Sequence, residues 1–397
     1  MKPFSFIGNV PASKSMINRA LICQTYSPSL KIIGASNCED VRNMKLGIVS
    51  MIQKKPIFCG DAGTVLRFIA ARASRIEGTY KMTGSKRLFE RPQQDLAYIL
   101  EQLSVHCQLI KDEILIHGEG WKKPLVPVRV PRDSSSQFAT GLLLNSWDLP
   151  FDLELDIKTG VSESYFKMTV QMLQSLGLQI EHKNDFWRIP AGQKIANDSV
   201  VMEPDYSSAF AIASAGALAG SAVINGFTDN SLQPDYIFID ILKKMGAKIE
   251  LKKSVNGSGS QLHIKKSDEE LNPIEFNLQN CPDLFPVLAV VCAFAKGESK
   301  LIGAPHLKNK ESNRIQKISD LFEKAGIFCT VKNDGMHIVG YGKQTKLKDF
   351  TFDTDHDHRI AMAAGLLKLK GFGIQIQNPQ VVNKSYPEFW QAIGINP

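Results

Sequence analysis

The sequence has no CxxC pair. Its seven cysteines, Cys23, Cys38, Cys59, Cys107, Cys281, Cys292 and Cys329, are odd in number and scattered, which excludes a zinc ribbon and a disulfide framework and leads us to expect a cytoplasmic protein. The first residues, MKPFSFIGNV, lack the apolar core of a signal peptide. Charge of one sign is not in great excess: 47 Lys and Arg against 40 Asp and Glu give +7, enough to favour anionic ligands and too little to imply nucleic acid. Aromatics make up only 8%, yet 43% of residues are hydrophobic and 22% charged, so disordered and fibrous classes are excluded. Tyr206 to Thr228 carries no charge, but it is rich in Ala, Ser and Gly and is interrupted by Asn225 and Gly226. We read it as a buried helix followed by a turn, and not as a membrane span. At roughly 100–200 residues per domain, 397 residues make two to four domains.

What is present is a repeat. A small polar or acidic start followed by an Ala-rich, almost uncharged helix occurs six times: SKSMINRALICQ from Ser13, DAGTVLRFIAARAS from Asp61, DSSSQFATGLLLNS from Asp133, DYSSAFAIASAGALAG from Asp205, DLFPVLAVVCAFAKG from Asp283 and DHRIAMAAGLLKLKG from Asp357. A second helix follows each first one and ends in an apolar-Gly-apolar stop, at Gly47, Gly177, Gly246, Gly326 and Gly394, with Ser104 taking the Gly place in the second copy. After the stop come two alternating runs joined by a polar turn, as in GLQIEHKNDFWRIPAG and AKIELKKSVNGSGSQLHIKK, which is a hairpin signal.

Copy one is short and is expected to lack its hairpin after Gly47; copy six ends without one, and the strand Lys2–Val10 is expected to supply the missing edge there. Six units divide into two domains of three, with crossovers near Ala12 and near Met202–Pro204. Uncharged first helices belong inside, charged second helices outside.

Helix N-termini present unpaired N–H groups and a partial positive charge, and so bind anions. Here the starts of the helices also carry Lys14, Arg19, Arg67, Arg91, Lys310, Arg314, Arg359 and Lys384. Converging on one cleft, they make a pocket for phosphates and carboxylates, with Arg giving forked contacts.

Four motifs carry a family resemblance. PASKSMINRAL at Pro11–Leu21 resembles the PGSKS-x-x-NRAL signature of the enolpyruvyl transferases, GDAGTVLR at Gly60–Arg67 resembles GNAGTAMR, KNKESNR at Lys308–Arg314 resembles RVKETDR, and DHDHRIAM at Asp355–Met362 resembles YNDHRMAM. They come in the right order along the whole chain and point to the EPSP synthases, the 3-phosphoshikimate 1-carboxyvinyltransferases of the shikimate pathway, which serves chorismate and aromatic amino acid biosynthesis.

The resemblance implies an α/β fold, a two-domain inside-out barrel of six βαβαββ repeats, three per domain, with the first repeat shortened here. Residues 13–203 would form a lobe binding mainly shikimate 3-phosphate, and 1–12 plus 204–397 a lobe completing the active site. It also implies a monomer with two small-molecule substrates, phosphoenolpyruvate and shikimate 3-phosphate, and with no cofactor, metal, nucleic acid or membrane. The implied reaction adds the 5-hydroxyl of shikimate 3-phosphate to C2 of phosphoenolpyruvate and then expels phosphate.

Carried over position by position, Lys14, Asp283 and Glu311 are the catalytic groups. Lys14 touches phosphoenolpyruvate, Asp283 in CPDL is the base near the 5-hydroxyl, and Glu311 shuttles the C3 proton. Gly63, Arg91 in FERP, Gln137, Arg314, Arg359 and Lys384 hold phosphoenolpyruvate with Lys14, and His358 is a neighbour. Ser15, Arg19, Ser135, Ser136, Gln137, Ser162 and Tyr165 in VSESY, Asp283, His306 and Lys310 hold shikimate 3-phosphate.

Read without the resemblance, Asp283 is equally an N-cap, Glu311–Arg314 a surface i,i+3 pair, and His358 structural; Arg67, Asp40 and Asp205 are expected to orient helices. The chain departs from the family pattern at Ala12 for Gly, Asp61 for Asn, Phe68 for Pro, Glu163 for Lys, His306 for Asn and Asn313 for Asp. Competing readings are the sister enzyme acting on UDP-N-acetylglucosamine, which carries Lys-Asn in place of Lys14-Ser15 and a reactive cysteine near Arg91, the RNA 3′-phosphate cyclases, and a divergent binding relic.

Overall fold

A computed structural model of the chain describes residues 3–228, 231–253, 259–340 and 349–397. It divides into two compact units, Lys14–Met202 and Met1–Ser13 with Glu203–Pro397. Each is an inside-out barrel, with the apolar first helices within and sheets and second helices around them.

In the unit Lys14–Met202, one full βαβαββ copy runs through strand Ile57–Phe58, helix Gly63–Ala73, strand Gly78–Thr83, helix Gln94–Gln102 and the hairpin His106–Ile110 with Glu113–Gly118. Gly78–Thr83 is central, parallel to the first strand and antiparallel to Glu113–Gly118. The next copy, from Val128–Arg129 to Phe186–Ile189, repeats this order. The remaining sheet has two strands only, Lys31–Ile33 parallel to Ser199–Val201, so the unit closes by pairing its own beginning with its own end.

The other unit has the same plan. Phe4–Gly8, Gly220–Phe227, Lys248–Lys253 and Ser260–Lys265 form one four-stranded sheet, Glu275–Asn277 to Gly335–Val339 a second, and Phe350–Asp353 with Ile374–Gln377 a two-stranded third. The turn expected within SVNGS, residues 254–258, lies outside the described residues.

The alternation explains the layering. In Glu113–Gly118, Ile114 and Ile116 point inward and are buried. In the inner helix Tyr206–Ala219 every residue from Tyr206 to Leu218 is buried, as expected of a helix apolar on all sides. Each buried Leu, Ile or Phe contributes about 1.5–3 kcal/mol. Small residues let inner helices approach: a Cβ on Gly141 would lie 3.0 Å from the Arg67 carbonyl oxygen of the neighbouring helix. That approach brings the starts of helices Gly63–Ala73 and Gln137–Leu144 together.

Three expectations need correction. Phe4–Gly8 does not complete copy six; it pairs parallel with Gly220–Phe227 as the first strand of copy four, and copy six keeps two strands. After the buried helix, the uncharged stretch continues as strand Gly220–Phe227, with Asn225 and Gly226 at a bulge between Ile224 and Phe227. Gly47 is no helix stop. Helix Glu39–Ile52 runs through it, and the left-handed residue comes later, at Lys54 with φ 53°. Elsewhere Gly177, Gly246, Gly326 and Gly394 do take positive φ, and Ser104 does so at 62°.

Gly47 is instead a packing glycine: an added Cβ would lie 2.6 Å from Ile69 Cδ1 and 3.3 Å from Ile57 Cγ2. We therefore expect Gly47→Leu to destabilise the fold by about 1–3 kcal/mol through overpacking, read as a lower urea midpoint. An unchanged midpoint would show that this contact is not tight.

Candidate active site

In the unit Lys14–Met202 the site starts at a bare Cα. Gly63 opens helix Gly63–Ala73, and a Cβ there would lie 2.8 Å from Gln137 Oε1 and 3.0 Å from Arg91 Nη2. Arg91 donates to the Asp61 carbonyl at 3.3 Å, while its buried Nε finds no acceptor among the described residues. Arg67, expected only to orient helices, is the hub. Its Nη1 donates to Gln137 Oε1 at 2.8 Å and Ser135 Oγ at 3.3 Å, its Nε to Gln93 Oε1 at 3.2 Å and its Nη2 to the Pro92 carbonyl at 3.1 Å. The guanidinium also lies 4.4 Å from the Phe138 ring centroid. One buried cation thereby fixes the loops carrying Arg91, Ser135 and Gln137.

Lys14 opens helix Lys14–Gln24, and its Nζ sits 2.8 Å from Asp40 Oδ2, both side chains largely buried. Arg19, one turn on, donates from Nε to Thr169 Oγ1, from Nη1 to the Ser15 carbonyl and from Nη2 to the Tyr165 carbonyl. Burial lowers it from 12.5 to about 10, so it remains a cation at neutral pH. Phe68, in place of the family's Pro, lies under it at 5.4 Å. Ser162 precedes helix Glu163–Ser175 in a left-handed conformation, φ 55°, and its hydroxyl makes no capping bond. Ser136 likewise precedes Gln137–Leu144 without a side-chain cap. These hydroxyls and N-terminal N–H groups suit an anion. Glu163 is neutralised by the buried Arg132, whose Nη2 donates to Glu163 Oε2 at 2.9 Å and to the Val161 carbonyl at 3.3 Å.

The other unit holds a dense ionic cluster. Asp357 is fully buried and caps its own helix by accepting from Arg359 N at 2.9 Å. It also accepts from Ser312 Oγ at 3.0 Å and Arg314 Nε at 2.8 Å. Arg314 Nη1 lies 2.8 Å from Asp283 Oδ1 and Nη2 3.0 Å from Glu311 Oε2. Arg359 Nη2 donates to Asp283 Oδ2 and Ser207 Oγ, each at 2.9 Å. Lys310 Nζ is 3.8 Å from Asp283 Oδ1, and Lys384 Nζ 3.7 Å from Glu311 Oε1.

Four cationic side chains, Lys310, Arg314, Arg359 and Lys384, thus face three carboxylates, Asp283, Glu311 and Asp357, which leaves a positive remainder. Burial alone would raise the Asp283 carboxyl, but Arg359, Lys310 and Arg314 outweigh it and hold the group well below the usual carboxylate range. For Arg314, burial acts downward and Asp357, Glu311 and Asp283 override it, pushing the guanidinium above its ordinary value.

Asp283 is therefore no simple cap: it lies in the turn Pro282–Leu284 ahead of helix Phe285–Cys292, and its oxygens bind arginines. The Glu311–Arg314 pair exists but is no surface pair: Arg314 is buried, at 1% side-chain exposure, and Glu311 is partly exposed, at 15%. Asp205 caps its helix through Ser208 N, as expected of a helix-orienting residue. Sequence reading missed Arg67 as a hub, Arg132, Ser207 and Asp357. For Asp357 the signal was available: it starts copy six where Asp205 starts copy four and Asp283 copy five.

His306 is buried, and neither ring nitrogen has a partner among the described residues. Burial, reinforced by Lys310 and Arg314, lowers it from 6.5 to about 3, so the ring is neutral at working pH. A folded-state value below the unfolded one means that the folded chain binds fewer protons between those limits. The contribution of His306 to stability is complete above 6.5 and is lost as pH falls towards about 3. His306→Asn should therefore flatten the fall in stability over that range relative to the unaltered protein, measured by urea unfolding at a series of pH values. Parallel curves would contradict a neutral buried ring.

A profile of the family EPSP synthase (3-phosphoshikimate 1-carboxyvinyltransferase) matches residues 48–393. The 3-phosphoshikimate 1-carboxyvinyltransferase of Clostridium acetobutylicum is 30% identical over 97% of this chain and 93% of its own length. That of Pyrococcus abyssi is 31% identical over 97% and 89%. The fold is similar to that of EPSP synthase from Acinetobacter baumannii, with a TM-score of 0.76, 23% identity and coverage of 99% of this chain and 95% of that one. It is also similar to the enolpyruvyl transferase NikO from Streptomyces tendae, with a TM-score of 0.72, 16% identity and coverage of 99% and 94%. With its motifs spread over both units and the profile spanning most of its length, the chain belongs to the EPSP synthase family.

Proposed function

We propose that the protein is a transferase that moves the enolpyruvyl group of phosphoenolpyruvate to the 5-hydroxyl of shikimate 3-phosphate. The observation that carries this reading is the buried cluster in which Arg314 joins Asp283, Glu311 and Asp357. It places two partly exposed carboxylates, at 22% and 15%, beside cations, as a reaction needs that moves two protons between anionic partners.

In the addition step the 5-hydroxyl oxygen bonds to C2 of phosphoenolpyruvate, the hydroxyl proton passes to Asp283, and the C2=C3 electron pair takes a proton at C3 from the protonated Glu311 carboxyl. In the elimination step Glu311 takes a C3 proton back, the double bond re-forms, the C2–O bond to phosphate breaks, and the departing phosphate takes up the proton held by Asp283. The sequence balances with no further reactant. Gly63, Arg91, Gln137, Lys14, Arg314, Arg359 and Lys384 hold phosphoenolpyruvate, and fixed cations of this kind stabilise charge that develops as the bonds change. Ser15, Arg19, Ser135, Ser136, Gln137, Ser162, Tyr165, Asp283, His306 and Lys310 hold shikimate 3-phosphate. Arg67, Arg132 and Asp40 position those groups through the contacts described above.

The sister activity on UDP-N-acetylglucosamine is disfavoured by its need for a reactive thiol near Arg91. Cys107 lies in strand His106–Ile110 instead, with its thiol pushed up to about 12 by burial.

The deciding experiment is phosphate release from phosphoenolpyruvate plus shikimate 3-phosphate; no release above background with both substrates present would overturn the proposal. Within it, Glu311→Gln should lower kcat about 10²–10⁴-fold with little change in substrate affinity, whereas Lys14→Met should reduce both. Near-normal turnover in both variants would remove these residues from the chemistry. Gly63→Ala should raise the KM for phosphoenolpyruvate and leave that for shikimate 3-phosphate nearly unchanged, because the methyl would sit 3.0 Å from Arg91 Nη2, in the space phosphoenolpyruvate needs. Equal effects on the two constants in steady-state kinetics would take Gly63 out of that pocket.

A further inference from the structure

Asp283 uses both of its oxygens. Oδ1 accepts from Arg314 Nη1 at 2.8 Å and Oδ2 from Arg359 Nη2 at 2.9 Å. These are N–H groups of the two arginines that the proposed reaction assigns to phosphoenolpyruvate. A carboxylate bound in this way is a poor proton acceptor, and the particular N–H groups it holds are not available to a second anion. The base assigned to the hydroxyl and the arginines assigned to phosphoenolpyruvate are thus bound to each other.

The geometry says which bonds can exchange. Asp357 has 0% side-chain exposure and grips Arg314 through Nε, and Ser207 Oγ accepts from Arg359 Nη2. Each arginine therefore keeps a partner besides Asp283. Asp283 contacts both arginines and is the more exposed of their partly exposed carboxylate partners, at 22% against 15% for Glu311. We propose that Asp283 is an internal stand-in for the phosphoenolpyruvate anion: the incoming anion takes Arg314 and Arg359 from Asp283, and this exchange leaves the carboxylate with Lys310 still 3.8 Å from Oδ1 but without its two arginine partners, better able to receive the hydroxyl proton. No covalent bond changes in the exchange; it replaces two carboxylate–guanidinium contacts by anion–guanidinium contacts of the same kind. The base is thereby silent until the substrate that needs it is in place.

An alternative makes the opposite prediction. If Asp283 were a permanent brace that orients the arginines, its removal would disorder them and weaken anion binding. If it is a competitor, its removal leaves buried cations unpaired and strengthens anion binding.

The test is Asp283→Asn, which keeps shape and removes charge. The probes are inorganic phosphate and phosphoenolpyruvate, each titrated calorimetrically into the variant and the unaltered protein; sites elsewhere contribute equally to both. We expect the variant to bind each anion about tenfold tighter or more, and its melting temperature to rise more on adding phosphate, while kcat falls at least about 10²-fold. Equal or weaker anion affinity overturns the proposal. A variant that folds only in phosphate supports it, and one that phosphate fails to stabilise overturns it. The inference rests on the proposed reaction, but the two fail separately: turnover by the unaltered protein tests the reaction, and anion binding by the variant tests the exchange.

Discussion

The carboxylate of Asp357 is the fixed point of its unit. Buried completely, it closes the N-terminus of helix His358–Leu369, receives Ser312 from the KESNR segment and holds Arg314 through Nε. A buried carboxylate survives only when its lone pairs are satisfied, and here a helix start, a loop hydroxyl and an arginine satisfy them together. Two sequence motifs far apart in the chain are thus clamped by one group, and the positions of Glu311 and Asp283 follow from where Arg314 is held. The unit Lys14–Met202 uses the same device with the opposite sign: the buried Arg67 cation ties Gln93, Ser135 and Gln137 to the helix that Gly63 begins. In both, a charge near the start of an inner helix does for tertiary structure what a cap does for a single helix.

Most of the architecture could be read from the residues because the repeat is written in local signals. The Ala-rich helices, the left-handed stops at Gly177, Gly246, Gly326 and Gly394, and the alternating hairpin strands each depend on a few neighbouring residues. What escaped depends on contacts distant in sequence. Gly47 matches the stop pattern, yet its surroundings, Ile57 and Ile69, make it a point of close packing inside a longer helix. The strand Phe4–Gly8 carries no local signal of its partner, and tertiary pairing with Gly220–Phe227 decides its place. The motifs located Arg314, Glu311, Asp283 and Gly63, but not their partners. That Arg67 is a hub, that Arg132 offsets Glu163, and that Arg314 is shared among three carboxylates are facts about side chains meeting across the fold.

The departures from the family pattern also acquire physical content. Glu163 would put a negative charge at a helix start that otherwise suits anions, and Arg132 cancels it at 2.9 Å. Phe68 replaces a rigid residue by a ring under Arg19, an arrangement in which a cation gains from an aromatic face. His306 brings an ionisable group beside Lys310 and Arg314, and those same cations help keep it neutral. In each case the immediate surroundings absorb the change.

The pairing of Phe4–Gly8 with Gly220–Phe227 has a consequence for the order of assembly. The whole segment Lys14–Met202 is inserted between a strand and its partner. On the ribosome the first strand emerges early and waits, unpaired, while about half the chain is made. The inserted segment is complete in itself, because Lys31–Ile33 meets Ser199–Val201 at its very end, so it can close before Gly220–Phe227 exists. Once it has closed, its two ends are held together, so the entropy of joining Phe4–Gly8 to Gly220–Phe227 has largely been lost already within the insert. The inserted segment can therefore fold before the strand that precedes it meets its partner, and folding that insert brings the two together.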